Sequence, residues 1–551
     1  MANSKKLILG EFIFDYLHKQ GAKKAFGIPG DFVLPTVRFL EDSKIDFITL
    51  AHEPAVGFAA DAYARINGLG VACVTYCVGG LNMLNSVAGA YAEKSPIIVI
   101  SGGPSKKDKV GNSLLHHKVK SFDTQRKIYE EVTCANTILD DPATAADEII
   151  RVIEEAKSQC RPGYIEIPFD MADIEISPPS KRKKEKPTSD KDLLNAALTE
   201  VEKRISAAKQ PVIIAGVELH RHGLTDIAVE IAQKFNIPIC SSLLSKSVIS
   251  EQNPLYIGVY SGGLSEPACG KYVDESDCVI MLGTFITDVF LGLYTSKLER
   301  KNTILATTEE TKIGFYSFDN IILEDFLNGL KSLKIKKKPS FKNPNPLKEA
   351  PKLKNSDREN EIEIEDFFNI LSSHMDEGST IISDTGDALL GAISLRTGKR
   401  SNFISDAYYL SMGFAIPASI GVCAGSKKSE RVFAVVGDGA FQMTSNEIST
   451  LAKYKMKPII IVLNNDGYGT QRHIIDGDFN KITQWNYTKI CDLVGYGESH
   501  QVKTLGALDD ALNQAVKADT MSLIEVIVPR DSCSTSLKRM GEELGKLRNK
   551  N

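Results

Sequence analysis

The sequence predicts an α/β protein built from three consecutive doubly wound, parallel-sheet domains, and three observations predict it. Short apolar runs ending in Gly, Asp or Ser recur along the chain: VACVTY, SPIIVISGG, GYIEIP, QPVIIAG, DCVIMLG, RVFAVVGDG and PIIIVLNND. These runs are continuously apolar rather than alternating, as strands covered on both faces are. Between them lie helical patterns such as DPATAADEIIRVIEEAKS and LTDIAVEIAQKF. The third observation is a pair of basic, proline-containing passages, 178–191 and 334–355, that cut the 551 residues into three pieces of similar size.

In chain order, the opening segment MANSKKLILGEFIFDYLHKQG predicts an amphipathic helix. Leu7, Phe12 and Tyr16 share a face, and Glu11 and Asp15 interrupt the apolar run that a secretion signal would need. The expected domains are 1–180, 190–335 and 356–551. The two basic passages lack interleaved aromatics and read as solvated linkers rather than nucleic-acid patches. No segment approaches the run of about 20 apolar residues that crosses a bilayer.

Apolar residues make up 42% of the chain and charged residues 25%, an ordinary globular balance. A net charge of −4 gives no field that would gather nucleic acid or an anionic membrane. Small molecules and copies of the same chain are the expected partners. The ten cysteines are scattered, with no C-x-x-C pair, and Cys73, Cys240, Cys278 and Cys423 fall in apolar stretches. Reduced thiols and a cytoplasmic location are expected.

Chemistry concentrates near the C-terminal end. RVFAVVGDGAFQMTSNEIS ends a strand at Gly437, Asp438 and Gly439, and Thr444 with Glu447 predicts a capping box opening a helix that carries Ile448, Leu451 and Ala452 on one face. After 24 further residues the strand PIIIVLNND ends at Asn464 and Asn465. Both sets sit at the C-terminal edge of parallel strands, where ligands of open α/β sheets bind. A hard divalent cation such as Mg2+ takes a carboxylate, an amide oxygen and a backbone carbonyl, which Asp438, Asn465 and Gly467 offer. The flanking glycines allow backbone N–H groups to approach a diphosphate. Each half alone also reads as an ordinary turn. Together, GDG, 24 residues and NN resemble the thiamin-diphosphate motif, which would add Ala440 and Tyr468 to the cofactor-binding set.

In the first domain, FITLAHEPAVGFAADAYAR places Glu53 at a strand end with Pro54 at the first helical position, either a helix-start acid or a carboxyl facing a ring nitrogen. The segments FGIPGDF, HEPAVGFAADAYAR, AYAEKSPIIVISGGP, LLHH, SMGFAIPASIG and VVGDGAFQMT resemble, nearly end to end, the thiamin-diphosphate-dependent 2-keto acid decarboxylases, in particular the phenylpyruvate and indolepyruvate branch. That resemblance implies a non-oxidative decarboxylation through the cofactor's ylide, with Glu53 promoting its formation and Asp31, His116 and His117 managing protons. It also implies that Met412 bends the cofactor, that the Leu410 carbonyl accepts a hydrogen bond from its amino group, and that each site is shared between subunits of a dimer or a homotetramer. His220 and His222 match no pattern and read as surface residues.

Many pyruvate decarboxylases carry a glutamate where Gln471 stands, and an amide cannot deliver that proton. By resemblance, Asp288 in LGTFITDVFLG is the acid that takes over part of the work, although a loop aspartate reads equally well. Gln471, Thr470, Leu389 and Leu390 suggest room for 2-keto acids larger than pyruvate, with aromatic, branched and longer aliphatic side chains all open. Two rivals stand beside this reading: a carboligase of the acetohydroxyacid synthase kind, and a cofactor-binding protein without turnover.

Overall fold

The computed structural model describes residues 6–111, 114–180, 187–338, 340–346, 352–398, 401–427 and 430–548, with side chains of the last helix through 543. It contains three sheets. The first is formed by β1 (Lys24–Gly27), β2 (Asp46–Thr49), β3 (Gly70–Val74), β4 (Ile97–Gly103), β5 (Ala135–Ile138) and β6 (Gly163–Pro168). The second comprises β7 (Pro211–Ala215), β8 (Ile239–Ser242), β9 (Tyr256–Tyr260), β10 (Cys278–Leu282), β11 (Thr303–Ala306), β12 (Thr311–Ile313) and β13 (Tyr316–Phe318). The third comprises β14 (Thr380–Ser383), β15 (Asn402–Ser405), β16 (Val432–Gly437), β17 (Ile459–Asn464), β18 (Glu498–Val502) and β19 (Ser522–Ile527).

The first sheet runs β2-β1-β3-β4-β6-β5 and the third β15-β14-β16-β17-β19-β18, so the two share one topology. Every pairing in them is parallel. Strand order reverses between β1 and β3, and again between β14 and β16. At such a point the two connections leave in opposite directions and open a crevice at the C-terminal edge. The second sheet, β13-β12-β11-β10-β7-β8-β9, departs from the all-parallel expectation because β12 and β13 add antiparallel to its edge. The hairpin Thr311–Phe318 is too short for a parallel return, which needs a crossover of a dozen or more residues.

One hydrophobic cluster spans the first and third sheets through the helices Glu53–Asn67 and Ala415–Gly425. Glu53–Asn67 is buried on all sides from Ala55 to Arg65, and its alanines allow backbone-close packing. A Cβ on Gly421 would stand 2.1 Å from the Ala59 carbonyl oxygen, so only glycine fits there. Gly68, at φ +83, ends the helix as a left-handed cap.

Of the basic passages, residues 181–186, 339 and 347–351 lie outside the described residues. The described part of the second passage is largely exposed, as a linker is, but is tethered to the second domain at several points rather than free. Ile335 is buried, Lys338 hydrogen-bonds to the Phe235 carbonyl, and the Asn343 and Asn345 amides bond to the Tyr256 and Ile257 carbonyls. Edge carbonyls of the second domain offered acceptors that charge counting does not see. Among the described residues no helix is long and apolar enough to cross a membrane. His222, read as a surface residue, is half-buried with Nε2 sealed from solvent and unpaired, whereas His220 is exposed.

Candidate active site

The crevice between β14 and β16 opens into a cavity of about 220 Å3 lined by Thr385, Gly386, Leu410, Met412, Gly437, Asp438, Gly439, Ala440, Asn465, Gly467, Tyr468, Thr470 and Gln471, among others. Asp438 is 1% exposed and opens the helix Asp438–Thr444. One carboxylate oxygen accepts the Gly439 N–H at 2.8 Å and the other the Gly467 N–H at 2.8 Å. Burial pushes this carboxyl up to about 6 despite those bonds, so it is poised for a cation that would compensate its charge.

The two asparagines diverge. Asn464 is turned into the protein, where its amide donates to Glu525 at 2.8 Å and its oxygen accepts the Asp466 N–H. Asn465 lines the cavity, its backbone carbonyl held by Arg472 at 2.8 Å. Asp466 and Gly467 have φ values of +64 and +120, a turn that brings the Gly467 N–H onto Asp438 while Asn465 lines the same cavity. The Tyr468 ring fills the space a Cβ on Gly439 would take. The Gly467 carbonyl accepts the Gly469 N–H at 2.8 Å and keeps a second lone pair, so a carboxylate, an amide and a carbonyl of residues lining one cavity fit a hard cation with phosphate oxygens.

Leu410 has φ +59, a strained conformation for a branched side chain, and its surroundings impose it. Its N–H bonds the Asp406 carbonyl and the next N–H, of Ser411, bonds the Asp406 carboxylate at 2.7 Å. Glu93 of the first domain accepts the N–H groups of Tyr408 and Tyr409. Arg65 grips Asp61 with two bonds at 2.8 and 2.7 Å and reaches Glu93 and the Ser405 carbonyl. Burial, and then Glu93 beside it, raise the Asp406 carboxyl well above its usual range.

On the other side of the loop is Asp384, which the sequence reading missed. It follows β14, is fully buried, and accepts the N–H groups of Thr385 at 2.9 Å, Gly413 at 3.1 Å and Ala415 at 2.8 Å, so it anchors the chain just past Met412. Burial lifts it to about 6. Asp387 likewise accepts the Ser534 backbone N–H at 2.8 Å and the Ser534 hydroxyl, tying down the start of the last helix. The signal was present, since IISDTGD ends a β-rich run in acid and glycine as VVGDG does.

Three expectations are corrected here. Thr444 and Glu447 form no capping box: the Thr444 hydroxyl donates to the Gly413 carbonyl, and Glu447 accepts the Ala51 N–H and the Thr450 hydroxyl. Tertiary partners outcompeted the local bond. Leu389 and Leu390 are buried among Leu243, Leu264 and Leu537 and do not line the cavity, so they say nothing about its width. Glu53 does not end a strand, because β2 stops at Thr49 and Glu53 is the first residue of its helix.

The first-domain candidates gather at the other reversal point. Asp31 follows β1 and Thr75 follows β3, and the Thr75 hydroxyl donates to Asp31 at 3.2 Å. His116 Nε2 lies 2.5 Å from Asp31, and His117 Nδ1 lies 3.8 Å from it. Burial would raise Asp31, but the bond from His116, the Phe32 N–H, His117 and Thr75 hold it below its usual value. Glu53 accepts the Asn82 amide at 2.8 Å, and Glu447 holds the backbone two residues before it. None of Glu53, Asp31, His116 and His117 lines the cavity of the same chain. Asp288 is exposed on a loop, bonds its own following N–H, and does not line the cavity either.

Comparison with known proteins agrees with this layout. Residues 8–126 match the N-terminal TPP binding domain of thiamine pyrophosphate enzymes, residues 198–325 their central domain, and residues 384–526 their C-terminal TPP binding domain. Indole-3-pyruvate decarboxylase of Azospirillum brasilense is 34% identical over 544 residues, covering 96% of this chain and 97% of its own. An alpha-keto-acid decarboxylase of Mycolicibacterium paratuberculosis is 29% identical, with 95% and 94% covered, and pyruvate decarboxylase 3 of Arabidopsis thaliana is 29% identical, with 98% and 94% covered. With its paired sheets, its buried acid at the strand-order reversal and this end-to-end similarity, the chain belongs to the thiamine pyrophosphate enzyme family.

Proposed function

We propose that the protein is a thiamin-diphosphate- and Mg2+-dependent decarboxylase that converts a 2-keto acid to an aldehyde and carbon dioxide. The observation that carries this reading is the convergence of Asp438, Asn465 and Gly467 on one cavity beside Leu410 and Met412. The relatives, named as decarboxylases of indolepyruvate, 2-keto acids and pyruvate, support the reaction class. Bound there, thiamin diphosphate supplies the electron sink for loss of carbon dioxide.

In this reading Asp438, Asn465 and the Gly467 carbonyl hold the metal and, through it, the diphosphate. Met412 would pack against the bound cofactor and the Leu410 carbonyl would accept from its amino group, a role that the anchors at Asp384 and Asp406 make rigid. Glu53, oriented by Asn82, shares a proton with the pyrimidine nitrogen. Asp31, His116 and His117 deliver the proton that leaves in the aldehyde. Gln471 orients substrate without donating an acid proton. Asp288, whose loop packs through Val289 beside Leu389 and Leu390, is the added acid. Full turnover by an Asp288→Ala variant would remove it from the mechanism.

The first-domain acids reach a cavity only if a second copy supplies them. Leu34, Val78, Leu114 and Val119 are exposed around those acids, and Met443, Ile475, Phe479 and Trp485 are exposed in the third domain. Such apolar surface favours association, and we infer a homo-oligomer, with a dimer as the minimal active unit and a tetramer expected. The ten free cysteines favour the cytoplasm.

The test is aldehyde release, read through a coupled dehydrogenase, across pyruvate, 2-ketoisovalerate, 2-ketoisocaproate, phenylpyruvate and indolepyruvate. Preference for the larger acids is expected. Carbon dioxide without aldehyde would indicate a carboligase, and silence on every acid a protein without turnover.

A further inference from the structure

We infer that Asp31, His116 and His117 form a second metal site, suited to a transition ion of the zinc class, and that filling it blocks the enzyme. Their ligand atoms lie within 4.8 Å of one another. A tetrahedral Zn2+ with bonds of about 2.0–2.1 Å holds its ligand atoms about 3.3 Å apart. His116 Nε2 lies 2.5 Å from Asp31 Oδ2 and must open slightly, and His117 Nδ1 lies 3.8 Å from the other oxygen, Oδ1, so the carboxylate must turn to present one oxygen to both rings or span the ion with two. The widest spacing among the ligand atoms, up to 4.8 Å, must contract by about 1.5 Å through side-chain rotation.

Two features suit the cluster to an ion. His117 Nδ1 is sealed from solvent without a hydrogen-bond partner, and it points towards the Asp31 carboxylate. An unpaired imidazole nitrogen is costly to bury, and a metal would use its lone pair. His117 is held at φ +66, a conformation that places its ring across that of His116, with centroids 4.8 Å apart and planes at 78°. The ligands are also supported from behind, as ligating side chains usually are. Thr75 orients Asp31, and Phe32 stacks on His116 at 4.9 Å and meets His117 edge-on at 5.7 Å. In the single chain His116 and Asp31 are 59% and 50% exposed, so neither is locked into its own fold.

The donor set separates this site from the one at Asp438. Two imidazoles and a carboxylate favour a borderline ion, whereas an all-oxygen set favours Mg2+. The ion would displace the proton that Asp31 and His116 share and occupy the lone pairs that proton delivery needs. The binding stands on geometry alone. Only the block rests on the function proposed above.

The experiment titrates the full-length protein, with thiamin diphosphate and Mg2+ present, with Co2+, reading the visible bands of the ion, and then displaces it with Zn2+. Intense bands of four-coordinate Co2+ are expected. His116→Asn and Asp31→Asn should each weaken binding at least about tenfold, and His18→Asn, on the helix Leu9–Lys19 and outside the cluster, should leave it unchanged. Zn2+ should slow aldehyde release with Mg2+ in excess, and a zinc-selective chelator should restore it. Bands that survive both cluster substitutions, or a weak six-coordinate spectrum only, would overturn the site, and Zn2+ bound there with unaltered turnover would overturn the block. Because the cobalt spectrum needs no turnover, a protein silent on every keto acid would still answer the metal question.

Discussion

Replacing Asp384 by asparagine tests the argument that a buried carboxylate holds the Leu410–Ala415 segment. The side chain takes three backbone N–H groups, from Thr385, Gly413 and Ala415, at 2.8–3.1 Å. Asparagine retains one oxygen for Thr385 and Gly413 but turns an NH2 group towards the Ala415 N–H, leaving it unpaired at a cost of about 1–3 kcal/mol. That cost is independent of pH. The charge is not: the carboxyl ionises near 3.8 when unfolded and at about 6 when folded, because burial outweighs the backbone bonds. Below the unfolded value it is neutral in both states and contributes nothing. As pH rises through the window between these values the unfolded chain loses its proton first, so wild-type stability falls, and above about pH 6 the full penalty of about 3 kcal/mol is present. Asparagine lacks this slope. The stability of Asp384→Asn relative to wild type should therefore improve by about 3 kcal/mol between about pH 4 and pH 7. The other raised carboxyls occur in both proteins and cancel. The assay is urea unfolding of cofactor-free protein followed by the fluorescence of Trp485, the single tryptophan, which reports the third domain alone. A difference that stays flat with pH, or moves against the variant, would falsify the reasoning.

Asp438→Asn removes the buried carboxylate that binds the Gly467 N–H in the cavity shared with Asn465. Wild type should gain about 2.7 kcal/mol at cofactor and Mg2+ concentrations one hundred times the dissociation constant, and the variant should show no thermal shift there; a retained shift would exclude Asp438 as the metal ligand. Glu53→Gln keeps a group that bonds Asn82 but loses the proton shared with the ring, so calorimetric cofactor affinity should hold while kcat drops at least about a hundredfold. Equal losses in affinity and kcat would instead mean a binding role. Gly421→Val forces a Cβ into the Ala59 carbonyl and should lower stability by about 1–3 kcal/mol, read as a lower melting midpoint; an unchanged midpoint would show that the two helices separate freely.

Much of the site was legible because its residues are close in sequence and their chemistry is local. Gly437 ends one strand, with Asp438 and Gly439 directly after it, and Asn464 ends the next, followed by Asn465, and parallel-sheet geometry brings those ends together without further information. The strand-ending acid and glycine of IISDTGD marked a site, but the role of Asp384 escaped because its partners Gly413 and Ala415 lie some thirty residues away. The Thr444–Glu447 box misled for the converse reason. Its spacing was right, yet Glu447 found Ala51, almost four hundred residues earlier, a better partner.

The sequence by itself determined the α/β alternation, the repeated strand–acid–glycine endings and the residue types that can hold a metal diphosphate, since these depend on backbone periodicity and on side-chain chemistry. Tertiary structure alone decided which asparagine faces the cavity, that Leu389 and Leu390 are core, that Leu410 is held in a strained turn, and that Glu53 and the Asp31 cluster stand apart from the cavity of their own chain. Those outcomes depend on which distant groups win each buried hydrogen bond and each volume of core, and such competition is settled only when the whole chain packs.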